Sequence, residues 1–130
     1  MKILLDTQIF IWLIQKDPRL GPQSKELVLS MTNEVYISFL SFFEMTIKSS
    51  LGKLDFDASV IGDLESMGVI LLSGDQKSLS MYAVANSENK DPFDNFLIST
   101  AKVHKLTLLT SDHKILSTKA KGLKLLDATK

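Results

Sequence analysis

The chain contains no cysteine among its 130 residues. This absence excludes disulfide bonds and the thiolate zinc sites that stabilise many small domains. The sequence also has no apolar run near the roughly 18 residues that span a bilayer. Its amino-terminal run, MKILLDTQIFIWLI, is interrupted by Asp6 and is not followed by the small-residue cleavage site of a secretory signal. From these absences we expect a cytoplasmic protein with no membrane contact.

An excess of charge of one sign is also missing, because 15 basic residues balance 15 acidic residues. Apolar residues make up 45% of the chain, which predicts a packed core rather than a disordered chain. A length of 130 residues suits one domain, and we take residues 1–130 as a single unit. The segment 102–124 is rich in lysine and contains Asp112 as its one acid. Such a segment is either an ordinary solvated surface or part of a surface that binds a polyanion.

Short apolar runs alternate with helix-like segments along the chain. The strand candidates are residues 2–6, 34–38, 67–72, 106–110 and 123–127. Helices are predicted at 7–15, 23–31, 41–52, 57–66, 75–85 and 91–105. Apolar strands that alternate with helices predict a central parallel sheet covered on both faces, which is a three-layer αβα sandwich.

Four acidic residues occupy corresponding places in this pattern. Asp6 ends the first strand, and Asp112 closely follows the LTLLT strand. Glu44 and Asp94 each fall on the predicted first turn of a helix. Because sites in parallel sheets form beyond the carboxyl ends of the strands, the four side chains could share one rim. Clustered carboxylates repel one another unless a cation compensates, and oxygen ligands alone favour Mg²⁺ or Mn²⁺.

Each acid also has a local explanation that requires no site. Asp6 could cap the following helix, and Asp112 could begin a turn. Glu44 could complete a capping box with Ser41 and form an ion pair with Lys48, four residues further along the helix. At this stage both interpretations remain open for each acid.

The sequence DPFD at 91–94 admits the same two interpretations. Asp91 could cap a helix whose first residue is Pro92. Asp94 would then be a first-turn acid that faces the positive end of the helix dipole. Alternatively, Asp94 projects into a metal site and the capping residues aim it.

Two other classes of α/β protein lack support in the sequence. A dinucleotide-binding or P-loop protein needs a glycine-rich turn after the first strand, and LLDTQIF has none. A receiver-like domain needs a phosphoacceptor aspartate at the end of a middle strand. The middle strands EVYIS and GVILL end without an aspartate.

The chain resembles the PIN-domain family along nearly its whole length, with motifs in the family's order. The likeness is closest to the VapC-like toxins of bacterial toxin–antitoxin pairs. The stretches that carry it are LLDTQIFIW, SFFEMTIKSSLGKL, DPFDNFLISTAKVHKLTLLTSD and the final LKLL.

This resemblance implies a metal-dependent endoribonuclease that hydrolyses RNA with a water activated by Mg²⁺ or Mn²⁺. It assigns the acidic, metal-binding quartet as Asp6, Glu44, Asp94 and Asp112. Thr7 and Ser111 would be supporting hydroxyls, and we favour a helix-capping role for Asp91. The family also implies a cognate antitoxin as partner, and homodimers are common in it. A PIN-like RNA- or protein-binding module without catalysis is the competing hypothesis.

Several other side chains are candidates for contact with RNA. Lys48, Lys53 and Lys90 are the candidates for phosphate binding. His104 and His113 are treated as bystanders, although either could act as an acid or base. The aromatic residues Trp12, Phe42 and Phe43 could stack on bases, but core packing is the simpler expectation for them. The helix that carries Phe42 and Phe43 has more apolar breadth than one core contact requires, which suggests a groove for an antitoxin segment.

Overall fold

A computed structural model describes residues 1–84, 90–118 and 120–130. Across these residues, five parallel strands form one sheet in the order β3-β2-β1-β4-β5. The strands are β1 Lys2–Leu5, β2 Glu34–Ser38, β3 Val69–Leu72, β4 Thr107–Thr110 and β5 Lys124–Asp127. The helices are α1 Thr7–Gln15, α2 Pro22–Leu29, α3 Phe39–Ser50, α4 Gln76–Val84, α5 Pro92–His104 and α6 His113–Leu116. The predicted α/β sandwich with a central parallel sheet is confirmed.

The central strand β1 is buried on both faces, which explains its continuous apolar run. Ile3 and Leu5 belong to the cluster that contains residues of α1, α2 and α3. Leu4, which points the opposite way, packs in a second cluster with residues of α5 and α6. The sheet therefore separates two hydrophobic cores and holds the end of β1 between them.

Each face of the sheet is covered by helices with aromatic or aliphatic inward surfaces. On one face, the rings of Phe10 from α1 and Phe42 from α3 meet edge to face at 5.4 Å. On the other face, Leu97 and Ala101 of α5 are buried against the sheet, and α4 packs on α5. None of the helices in the described ranges has the length and apolar character needed to cross a bilayer.

The start of α3 differs from the prediction. The helix begins at Phe39, two residues early, because the Ser38 side chain caps it by accepting a hydrogen bond from the Leu40 amide at 3.2 Å. Of the alternatives left open for Glu44, the capping box with Ser41 is therefore wrong. Glu44 lies on the second turn of the helix rather than on its first turn.

Two short helices also differ from the sequence-based expectation. The helix predicted at 57–66 is a 3-10 helix that spans Ala58–Asp63. Helix α6 was not predicted; it is a single turn that begins where Asp112 accepts a hydrogen bond from the Lys114 amide. The helix predicted at 75–85 corresponds to α4, and Ala85 lies outside the described residues. The remaining boundaries agree with the predictions to within two residues.

Candidate functional site

Asp6 lies where the central strand becomes a helix. Its amide donates to the carbonyl of Leu109 at 3.0 Å, which extends the pairing of β1 with β4 by one residue. Its carbonyl accepts from the amides of Ile9 and Phe10, so Asp6 is also the cap of α1. The carboxylate accepts from the Thr7 amide at 2.7 Å. These bonds fix Asp6 at the carboxyl edge of the sheet, where sites form in parallel α/β folds.

Thr110, the last residue of β4, connects Asp6 with the segment that carries Asp112. Its hydroxyl donates to Asp6 Oδ2 at 2.7 Å and accepts from the Asp112 amide at 3.1 Å. The residue is fully buried. The sequence motifs point to Ser111 as the supporting hydroxyl, and Thr110 was not predicted. The register was the available signal, because pairing Leu5 with Leu109 places Thr110 beside Asp6.

Three of the four predicted acids come within electrostatic range of one another. Burial raises the pKa of Asp6, and the carboxylates of Glu44 and Asp112 raise it further. The hydrogen bonds from the Thr110 hydroxyl and the Thr7 amide oppose this shift but do not cancel it. Around Asp6, the negative charges of neighbouring carboxylates are thus not fully compensated.

Helix α3 is held against this pocket by a buried hydrogen bond. The Thr7 hydroxyl donates to Ser41 Oγ at 2.9 Å, and both residues are buried. This bond joins the start of α1 to α3 one turn before Glu44. Glu44 is nearly buried, and its Oε2 lies 3.1 Å from Nζ of Lys48, so the predicted ion pair is confirmed. Thr7 therefore helps to hold α3 in place beside Asp6, and its role in a functional site remains a prediction.

The DPFD motif forms the predicted helix start. The Asp91 side chain accepts hydrogen bonds from the amides of Phe93 at 2.9 Å and Asp94 at 3.2 Å, and Pro92 is the first residue of α5. Asp94 lies half-buried on the first turn. The rings of Phe93 and Phe43 contact each other, with centroids 6.2 Å apart. Because Phe43 adjoins Glu44, this contact brings the start of α5 close to the part of α3 that carries Glu44.

The remaining lysine and histidine candidates lie on the surface of the chain. Lys53 and Lys90 are exposed, and their contact with phosphate remains a prediction. His104 pairs with Asp75, which caps the start of α4, and His113 is exposed on α6.

The aromatic candidates divide between the core and the surface. Trp12 and Phe42 are buried in the core, which confirms the simpler expectation for them. Phe43 is 52% exposed, so it is the aromatic candidate whose ring reaches the surface of the chain.

The four candidate acids have the chemistry to bind a hard divalent cation. In this structure, however, their side chains are not gathered around a single point. Carboxylate oxygens are the ligands that Mg²⁺ and Mn²⁺ prefer. Over residues 1–84, 90–118 and 120–130, no three acidic or histidine side chains are grouped closely enough to hold one ion. Protein groups engage three of the acids: the Thr7 amide and the Thr110 hydroxyl bind Asp6, Lys48 pairs with Glu44, and the Lys114 amide binds Asp112.

Replacing Thr110 by valine is expected to lower the free energy of unfolding by about 1–3 kcal/mol, since it removes the donor to Oδ2 of the buried Asp6 carboxylate and the acceptor for the partly buried Asp112 amide. The shape of the side chain is preserved, so packing changes little. Thr110→Ser keeps the hydroxyl and is the matched control. Urea unfolding of both variants measures the difference. Equal stability of Thr110→Val and the wild type would show that this hydrogen bond contributes nothing.

The chain matches the PIN-domain family over residues 3–121. No curated protein matches it.

Similar folds occur in three solved structures. VapBC2 from Rickettsia felis bound to a DNA fragment from their promoter contains a chain with 19% identity and a TM-score of 0.71, covering 97% of this chain and 98% of that one.

For VapBC-1 from nontypeable Haemophilus influenzae, the identity is 22%, the TM-score 0.68 and the coverage 100% of both chains. For a toxin–antitoxin complex from Klebsiella pneumoniae, these values are 19%, 0.64 and 97% of both chains. The structures share the fold, and the family match covers most of the sequence. The resemblance seen in the sequence motifs is thereby confirmed, and the chain belongs to the PIN-domain family.

Proposed function

We propose that this protein is a Mg²⁺- or Mn²⁺-dependent endoribonuclease that acts as the toxin of a toxin–antitoxin pair. The observation that carries the proposal is the buried Asp6 carboxylate at the end of the central strand, within electrostatic range of Glu44 and Asp112. In a chain of the PIN-domain family, such a pocket is best explained by a cation that joins these acids.

Asp6, Glu44, Asp94 and Asp112 would hold the cation. When bound, it would supply Lewis acidity toward an RNA phosphodiester and an activated water for hydrolysis. This chemistry requires no side-chain nucleophile, in agreement with a chain that lacks cysteine.

The surrounding residues prepare the pocket before any ligand binds. The Thr7 amide and the Thr110 hydroxyl each bond one oxygen of Asp6, and so restrict its rotation. Asp91 fixes the first turn of α5 and thereby the position of Asp94. Such fixed ligands reduce the reorganisation that the reaction requires. Ser111 is half-buried beside this network, and Lys48, Lys53 and Lys90 are proposed to contact phosphates.

The purified chain is expected to cut a single-stranded RNA internally in the presence of Mn²⁺, and Asp94→Asn is expected to show no cutting. Asparagine keeps the size of the side chain but removes a charge that the cation needs. Gel analysis of end-labelled RNA measures both reactions. The matched control is Asp63→Asn, an exposed acid at the end of the 3-10 helix. Full activity of Asp94→Asn would remove it from the site, and an inactive wild type would favour a non-catalytic PIN-like binding module.

The antitoxin is proposed to cover the outer face of α3. Phe42 and Met45 of this helix are buried in the core. Its opposite face carries exposed apolar side chains at every fourth position, which are Phe39, Phe43, Ile47 and Leu51. Among residues 1–84, 90–118 and 120–130, this outer face therefore remains largely exposed, with Phe43 in contact with Phe93. An amphipathic antitoxin segment could pack along it. The VapBC and toxin–antitoxin complexes among the similar structures support such a partner.

The double variant Ile47→Lys, Leu51→Lys is expected to weaken antitoxin binding by at least about tenfold, since it places two charges in an apolar contact. The partner to use is the product of the adjacent small reading frame, co-expressed with the chain. Leu79→Lys, on the exposed side of α4, is the control. Unchanged co-purification of the double variant would contradict the assignment. If the double variant instead converts a homodimer into a monomer, the face belongs to a second copy of the chain.

A further inference from the structure

Lys48 is placed one helical turn after Glu44 and extends toward the pocket. Its Nζ lies 3.1 Å from Glu44 Oε2. The two side chains differ in exposure, with 12% of Glu44 and 45% of Lys48 accessible to solvent. The lysine therefore brings a charge from a solvated position to a carboxylate that is nearly buried.

Glu44 requires a countercharge because water screens it poorly and the Asp6 carboxylate lies within electrostatic range of it. Its negative charge already raises the pKa of Asp6. A nearly buried carboxylate without a cationic partner carries a large desolvation cost. In the metal-free chain, Lys48 supplies that partner.

A divalent cation and the Lys48 ammonium cannot both approach Glu44 closely without repulsion. Two positive charges about 4 Å apart near a protein surface repel each other, and water screens the repulsion only in part. Lysine carries its charge on a flexible four-carbon stem, so the ammonium can move away at little cost. Glu44 can therefore exchange its Lys48 partner for a divalent cation, and the ion pair can form again when the cation leaves.

We infer that Lys48 is the resident counter-cation of the metal-free pocket, and that metal binding releases it from Glu44 to bind a phosphate of the RNA. This inference rests on the proposed function and adds a sequence of events to it: the metal binds, Lys48 leaves Glu44, and Lys48 then contacts the RNA. Lys48 weakens metal binding when no RNA is present. Once released, it strengthens RNA binding, so the metal and the RNA each increase the affinity for the other.

The test is calorimetric titration of the full chain with Mn²⁺ for the wild type and three variants. Lys48→Met is expected to bind Mn²⁺ roughly fivefold more tightly, which matches the upper range for a partly exposed ion pair. Lys48→Arg keeps the charge and is expected to bind like the wild type. Lys25→Met, which removes an exposed lysine from α2, is expected to have no effect.

A second titration, in the presence of a single-stranded 2′-deoxy oligonucleotide, tests whether the released Lys48 binds a nucleic-acid phosphate. The oligonucleotide is expected to tighten Mn²⁺ binding to the wild type more than to Lys48→Met. Thermal unfolding of each variant, with Lys48→Gln as a second neutral replacement, confirms that it is folded. If a folded Lys48→Met or Lys48→Gln binds Mn²⁺ no more tightly than the wild type, the exchange is wrong and the nuclease proposal stands. If the wild type binds no Mn²⁺, both proposals fail.

Discussion

An Asp6→Asn variant is expected to lose RNA cleavage by roughly a thousandfold, or about 4 kcal/mol, because it removes the central carboxylate of the proposed cation site. At pH 7 and without metal, the same variant is expected to be more stable than the wild type. The wild-type chain must keep a charged carboxylate buried beside Glu44 and Asp112, whereas asparagine has no charge to repel. Loss of activity together with a gain in stability distinguishes a functional residue from a purely structural one.

The pH dependence of the stability difference follows from the raised pKa of Asp6, whose largest cause is burial. The folded chain binds the Asp6 proton more tightly than the unfolded chain does. The contribution of Asp6 to stability is therefore fully present below its ordinary pKa and is lost as the pH rises through the raised value. The stability advantage of Asp6→Asn should consequently grow across that interval.

Urea unfolding of the wild type and Asp6→Asn between about pH 2 and pH 8 measures this difference, and the lower end of the range also covers the control. Asp57→Asn is a control of opposite sign, because the amide of Ser59 lowers the pKa of the exposed Asp57 carboxyl. The stability that Asp57 contributes is present above its ordinary pKa and is lost as the pH falls through the lowered value. An Asp6→Asn chain that is less stable than the wild type at every pH would refute the proposed charge crowding.

Removal of divalent cations is the second change with a large expected effect. EDTA should abolish RNA cleavage, and added Mn²⁺ or Mg²⁺ should restore it. Ca²⁺ should bind yet support cleavage poorly, since its larger and more variable coordination shell orients ligands less strictly. Mn²⁺ should also raise the unfolding temperature of the wild type, because an ion that binds only the folded chain stabilises it.

The rise in unfolding temperature on adding Mn²⁺ reports metal binding independently of RNA cleavage. Asp6→Asn and Asp94→Asn should show a much smaller increase with Mn²⁺ than the wild type. Asp63→Asn, whose acid lies on the 3-10 helix outside the proposed site, should respond like the wild type. Full cleavage in EDTA would refute the metal-dependent mechanism, whatever the unfolding temperatures show.

Much of the fold could be predicted because its physical signals are local. The run KILL must be buried on both sides, and alternation of such runs with helices is enough to predict a parallel sheet. For three of the candidate acids, Asp6, Asp94 and Asp112, the position in the secondary structure was also predicted correctly, whereas their role as a site remains a prediction. Two of these positions follow from strand ends, and the third follows from the capping chemistry of DPFD.

The errors arose where local signals were ambiguous. In SFLS, both Ser38 and Ser41 can cap a helix, and the choice of Ser38 depends on where β2 ends. The sequence does not show whether Thr110 or Ser111 faces Asp6, since that depends on the register of β4 against β1. The outer face of α3 was equally ambiguous, because exposed Phe43 and buried Phe42 are the same kind of residue. Each of these answers depends on tertiary packing rather than on nearby sequence.

The hydrogen bond between Thr110 and Asp6 joins two residues that are 104 positions apart. A ribosome adding about 5 to 20 residues per second needs about 5 to 20 seconds to pass from the first of them to the second. Throughout that interval the nascent chain has Asp6 but lacks both Asp112 and Thr110, the latter being one of the two donors that restrict the Asp6 carboxylate. An unfinished chain therefore cannot form the pocket, and any nuclease activity begins only after synthesis has passed β4.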